Sequence, residues 1–292
     1  MGSERDEQAE LRAERDRLAR RVTDLEEMLS WVARPMLNEP PEQLRGYLAL
    51  EREERRFTTH ALISHPELVS AWYLHLALLH EAIDTYRTRP KPDATPTADV
   101  LRLGFIAASG GTAKLVLDAT LAGYYTQALA LVRHMFETWI RLEYLRLNPG
   151  AADRWLVDDD GRPPKPPKEE KIHDFLRKQP DYKLKHIVEQ TIRTARTLNV
   201  MAHPSQNTLQ QTKGVRPGQV TIGANYEPDL CVKTLHEGMN ALRLILTALG
   251  DVLNAPQEWR VQVIQTTRQG DEASHLEVER REARIQKTHR EP

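Results

Sequence analysis

Leu11, Leu18, Leu25 and Val32 recur every seven residues in a heavily charged opening stretch, and Val22 and Leu29 fill the alternate positions that earlier hold Gln8 and Arg15. This heptad pattern predicts a helix over 4–34 with an apolar seam and a weak first half. Such a helix either pairs with a second copy or folds back on its own body. Pro35, Pro40 and Pro41 then interrupt the pattern. Two further helices are predicted over 41–64 and 67–87, split by Pro66. The proline-rich stretch "RPKPDATPTAD" (89–99) reads as a loop ending in helix-start chemistry at Thr97. Beyond it, residues 98–122 and 124–147 are apolar around most of a helical circumference, as expected of helices at the centre of a bundle. The Gly110-Gly111 pair within the first either loosens it or lets a neighbour approach closely.

The pattern then lapses. "NPGAADRWLVDDDGRPPKPPKEEK" (148–171) is polar and dense in proline, too long for a simple turn. It reads as a solvated loop, with the option of folding over a cleft as a lid. Helical periodicity returns over 181–203. "SQNTLQQTKGVRPGQVTIGANYEP" holds the only strand-like material, a small hairpin about Pro217-Gly218. Residues 229–253 form the last long apolar helix, with Asp229 near its start, and a charged helical tail of mixed sign follows Pro256. The expected fold is all-α. It comprises a four-helix up-and-down bundle core over 98–253, accessory helices and linker over 35–97, the coiled-coil-like helix over 1–34, the hairpin insertion and the tail over 254–292. The short joint between 98–122 and 124–147 makes those two helices antiparallel neighbours.

Composition narrows the functional classes. A net charge of −1 over 292 residues denies the chain the global positive field of a nucleic-acid binder, so any RNA contact has to use a local patch. The single cysteine, Cys231, excludes an internal disulfide framework and a cysteine-built metal site. No uninterrupted apolar run approaches the roughly 20 residues of a membrane span, and the N-terminus has no apolar signal segment. The expectation is a cytoplasmic protein without cofactor or metal and without a membrane partner. The histidine pairs His60/His65 and His75/His80 are spaced by five, about 140° round a helix, which presents no chelating face.

Two polar stripes stand out against this apolar body. Arg133, Glu137 and Arg141 lie four apart on the otherwise apolar helix over 124–147. They form either a self-contained ion ladder, with Glu137 between two arginines, or one wall of a polar cleft facing the helix over 181–203. On that helix Arg196, Asn199 and His203 share a side, with Arg196 and His203 about 20° apart round the axis. An arginine, an amide and an imidazole on one face can hold a phosphodiester. The guanidinium would bind the nonbridging oxygens, and the imidazole would move a proton to or from the reacting oxygens. The alternative is a histidine that satisfies the last carbonyls of its helix, next to a solvated arginine.

The combination of "LAGYYTQALALVRHMFETWIRLEYL" with the later "RTLNVMAHPS" resembles the HEPN-like helical superfamily. It is most similar to a bacterial branch, abortive-infection-like, that carries an Arg-x-x-x-Glu helix and a Ser/Asn-x-x-x-His-Pro signature. The likeness spans about residues 98–253. It implies a helical bundle, usually dimeric, and in many members metal-independent endoribonuclease activity in toxin–antitoxin, abortive-infection and other antiviral systems. Arg196 and His203 match the superfamily's Arg-x(4–6)-His motif at its longest spacing. Thr197 stands after the arginine, where active families often carry Asn, Asp or His. The resemblance thus implies Arg196, His203 and Asn199 as catalytic residues, with Arg133, Glu137 and Arg141 in support. The implied partners are RNA, a second copy of the chain, and an antitoxin or defence-system protein. The alternative it leaves is a noncatalytic interaction or nucleotide-binding module that oligomerises through its N-terminal helix.

Overall fold

A computed structural model describes residues 45–88, 97–155, 166–202 and 226–288. The expected helix over 4–34, the hairpin about Pro217-Gly218 and His203 lie outside the described residues. Within them the chain is all-α, with eight α-helices and no strand: α1 (Arg45–Ser64), α2 (Pro66–Thr88), α3 (Thr97–Leu121), α4 (Tyr125–Leu147), α5 (Glu169–Arg177), α6 (Tyr182–Ala202), α7 (Pro228–Val252) and α8 (Gln257–Thr288). A 3-10 segment, Pro149–Trp155, follows α4.

Local chemistry sets the helix ends. The joint between α3 and α4 closes with Gly123 at φ 87°, its N–H on the Thr120 carbonyl (3.1 Å) and the Tyr124 N–H on the Ala119 carbonyl (2.7 Å). This is a Schellman cap, which needs a left-handed residue at that point and so selects glycine. Asn254 (φ 45°) takes the same role after α7, with the Ala255 N–H on the Gly250 carbonyl at 2.9 Å. At the start of α6 the Asp181 carboxylate accepts from the backbone N–H groups of Lys183 (2.9 Å) and Leu184 (3.2 Å), which satisfies two orphan donors. α3 runs unbroken through Gly110-Gly111. A methyl group on Gly110 would meet Leu79 and His80 at ordinary contact distance, and one on Gly111 would meet nothing.

α4 is the centre of the packing. α3 and α7 both pack on it and on each other, while α6 packs on α4 and α5. α6 makes no extended contact with α3 or α7. The four core helices expected from the sequence are thus a three-helix cluster with a fourth docked on α4, not a square. α3 is less enclosed than its pattern suggests. Val100, Gly104, Ala107, Ala108, Gly111 and Leu115 form an exposed strip along it. The small residues score as apolar but bring little surface to bury, so this side of the helix gains little by packing. By length and composition α3 is long and apolar enough to cross a membrane; here it packs against α4, α7 and the 3-10 segment.

The buried apolar cluster does not stop at residue 97 or 253. It runs from Ala61 of α1 through Trp72 and Leu79 of α2 to Trp259, Val263 and Ala273 of α8. The expected accessory helices and tail therefore share one core with the bundle.

Candidate functional site

α4, α5 and α6 enclose a cleft of about 200 Å³ lined by Arg133, Glu137 and Ile140 of α4, Glu169, Glu170 and His173 of α5, and Ile192, Ala195, Arg196 and Asn199 of α6. The periodicity of α6 explains its share. Leu184, Val188, Ile192, Ala195 and Leu198 form the apolar side that seats the helix. Arg196 and Asn199 emerge at the edge of that side, where polar groups can reach both solvent and α4.

The α4 stripe faces this edge. Arg133 donates from Nε to Glu137 Oε1 (2.6 Å) and from Nη1 to Asn199 Oδ1, so one guanidinium bridges α4 and α6. Glu137 is not held between two arginines, as a self-contained ladder would require. Arg141 turns instead to Glu169 Oε1 at 3.1 Å and ties α4 to the first turn of α5. Both bridging arginines are half-buried, which strengthens such pairs relative to solvent-exposed ones. Arg196 is exposed, and no hydrogen bond or ion pair to it is found among the described residues. Its charge is therefore available to a ligand in the cleft.

Five of the six residues singled out from the sequence, Arg133, Glu137, Arg141, Arg196 and Asn199, come together at or beside this cleft. His203 follows α6 by one residue and, being outside the described residues, has no place in this geometry. The contribution of α5 went unseen in the sequence. Residues 148–171 read as a loop, yet α5 begins at Glu169 and presents Glu169, Glu170 and His173 to the cleft. A signal was present in "EEKIHDFLR": two acids in the first turn, then Ile172 and Leu176 four apart, both buried. The segment is short, and the preceding prolines masked it. The lid option for 148–171 falls largely on residues 156–165, which lie outside the described residues.

His173 is half-buried. Burial lowers its pKa below the ordinary histidine value, and the nearby charges of Arg177 and Arg196 lower it further. Glu169 and Glu137 work in the opposite direction. The imidazole is consequently neutral near pH 7. Among the described residues no group of three or more His, Cys, Asp or Glu side chains is placed to hold a metal ion.

Two buried histidines, His65 and His75, have structural partners. His65 is buried and shares its Nδ1 with Glu277 Oε2 at 2.8 Å, with the Tyr226 hydroxyl 3.2 Å from its Nε2. His75 donates from Nδ1 to the Ala71 carbonyl at 2.7 Å. Cys231 is buried, and its thiol pKa is pushed up to about 12 by burial, which leaves it inert as a nucleophile.

No family model matches the chain, and no curated protein or solved structure matches it either. The geometry of the cleft is thus the ground on which a function has to be argued.

Proposed function

We propose that this protein is a metal-independent endoribonuclease effector of a stress, toxin–antitoxin or antiviral defence system, acting from the cytoplasm as a HEPN-like homodimer. The observation that carries the reading is the meeting of Arg133, Arg196 and Asn199 at one open cleft of about 200 Å³. Arg196, exposed and with no hydrogen bond or ion pair found among the described residues, would bind the nonbridging oxygens of an RNA phosphodiester. Arg133, oriented by Glu137 and Asn199, would add its remaining N–H donors as negative charge builds on the phosphorane-like transition state. His203, one residue beyond α6, would move a proton at the reacting oxygens. Ile140, Ile192 and Ala195 supply an apolar floor on which a base can rest.

The test is incubation of the purified full chain with single-stranded RNA in the presence of a chelator. Cleavage leaving a 2′,3′-cyclic phosphate is expected. Arg196→Ala and His203→Ala each should lower the rate at least about 100-fold with helicity unchanged. Undiminished cleavage by both variants would refute the assignment. Light scattering of the same sample should give twice the 33.5 kDa chain mass; a monomer would remove the dimer from the proposal.

A second reading has one observation in its favour. Glu137, Glu169 and Glu170 line the cleft against two arginines, a balance that suits a ligand with a single phosphate better than an extended polyanion. On that reading the protein is a noncatalytic nucleotide-binding or interaction module. Saturable binding of a mononucleotide with no turnover of RNA would select it.

A further inference from the structure

We propose that His173 is a general base of this cleft, accepting the 2′-hydroxyl proton of the ribose whose phosphate Arg196 and Arg133 hold. This rests on the ribonuclease reading above and adds to it a residue that neither the Arg-x(4–6)-His spacing nor the helix pattern singles out.

Three observations place His173 in that role. First, α5 is fixed in orientation. Ile172 and Leu176 are both buried, and on the adjoining side Arg141 of α4 grips Glu169 at 3.1 Å. Glu169 and His173, four residues apart, share a side of the helix and both line the cleft. Second, the imidazole stands among charges contributed by every wall: Arg133, Glu137 and Arg141 from α4, Glu169, Glu170 and Arg177 from its own helix, and Arg196 from α6. Third, no hydrogen bond to either ring nitrogen is found among the described residues, so a nitrogen lone pair is open to a substrate proton. Burial and the two arginine charges favour the unprotonated ring, the form a base requires near pH 7.

The step balances without oxidant or reductant. The O2′–H proton passes to the His173 ring, O2′ bonds to phosphorus, and the P–O5′ bond breaks. The leaving oxygen takes a proton from water. The products are a 2′,3′-cyclic phosphate and a 5′-hydroxyl.

The experiment compares full-length wild type with His173→Gln, His173→Asn and His173→Ala. Single-turnover cleavage of single-stranded RNA is followed from pH 5 to 9, and binding of the same sequence as 2′-O-methyl RNA is followed by anisotropy. Glutamine and asparagine are expected to lower the rate about 100-fold and to abolish the acidic limb of the pH–rate profile, with affinity within about twofold of wild type. Added imidazole is expected to restore part of the His173→Ala rate. A folded variant that keeps both rate and acidic limb overturns the assignment to His173 while leaving the ribonuclease reading intact. Loss of affinity in step with rate also overturns it, since that marks a binding role. Wild type that cleaves nothing overturns both.

Discussion

At Gly238 the backbone of α7 lies against the indole of Trp72. A methyl group built there would sit 2.1 Å from one ring carbon and 2.5 Å from another, and Trp72 is wholly buried. The ring cannot withdraw without moving its neighbours, so Gly238→Ala is expected to destabilise the fold by about 3 kcal/mol in urea unfolding, despite alanine's better helix propensity. A stability equal to wild type would mean that α2 and α7 are not in contact at this point. His75 illustrates a different cost of burial. Desolvation, helped by the nearby Arg243, lowers its pKa to about 4 against the work of the Ala71 hydrogen bond and Asp271. Between about pH 6.5 and pH 4 the unfolded chain binds a proton that the folded chain refuses, so stability falls as pH falls through that window. The loss from this residue between pH 7 and pH 5 is about 2 kcal/mol. His75→Asn should flatten that part of the profile, as read by urea unfolding at the two pH values.

At the scale of elements, α6 and α5 show how a short helix completes what a long one begins. α6 buries Leu184, Val188, Ile192, Ala195 and Leu198, yet α4 and α5 are its only extensive partners among the described residues. Its seat is therefore narrow, and Leu198, 1% exposed, lies beside Asn199, the residue that receives Arg133. Leu198→Ala is expected to cost about 2–4 kcal/mol and to speed hydrogen exchange along α6 more than along α7. Equal acceleration in both helices would show that the two open as one unit. The bounds of α3, α4 and α7 and the start of α6 were legible in the chain to within one residue. Their apolar positions repeat with the helical period, and their caps are local. α5 was not legible, because nine residues span too few turns for a period to stand out after the proline-dense sequence that precedes them.

For the whole molecule, α8 is the instructive case. Its sequence reads as a charged tail, yet Trp259, Val263, Thr266, Gly270, Ala273 and Glu277 are buried at alternating spacings of four and three. That spacing is a seam for packing at a shallow angle against another helix, and α8 runs along α2 and α7. Half the seam is polar or lacks a side chain, which is why hydrophobic pattern alone misses it. Specific bonds supply what apolar surface does not. Glu277 meets His65 at 2.8 Å, Arg280 spans Glu277 (2.7 Å) and Glu67 (3.0 Å), and Arg243 of α7 donates to Asp271 (2.5 Å) and the Thr267 carbonyl (3.1 Å). Glu277→Ala leaves a buried imidazole and a guanidinium without their shared acceptor. It is expected to destabilise by about 3 kcal/mol, while Glu277→Gln, which keeps an acceptor for one of them, should cost less. Urea unfolding of both variants distinguishes this from a decorative surface pairing, for which both changes would fall within 0.5 kcal/mol or so.

The identity and bounds of the long core helices and the two polar stripes follow from the order of residues alone, because each depends on neighbours within two turns. The chemistry of Arg196 and Asn199 could be suspected on the same footing. Which stripe faces which, and what closes the third side of the cleft, depends on contacts between residues far apart in the chain. Arg133 finds Asn199 across 66 positions and Arg141 finds Glu169 across 28. Such pairings are set by how whole helices seat their apolar sides, so the placement of His173 in the cleft and of α8 on the core belongs to the tertiary structure.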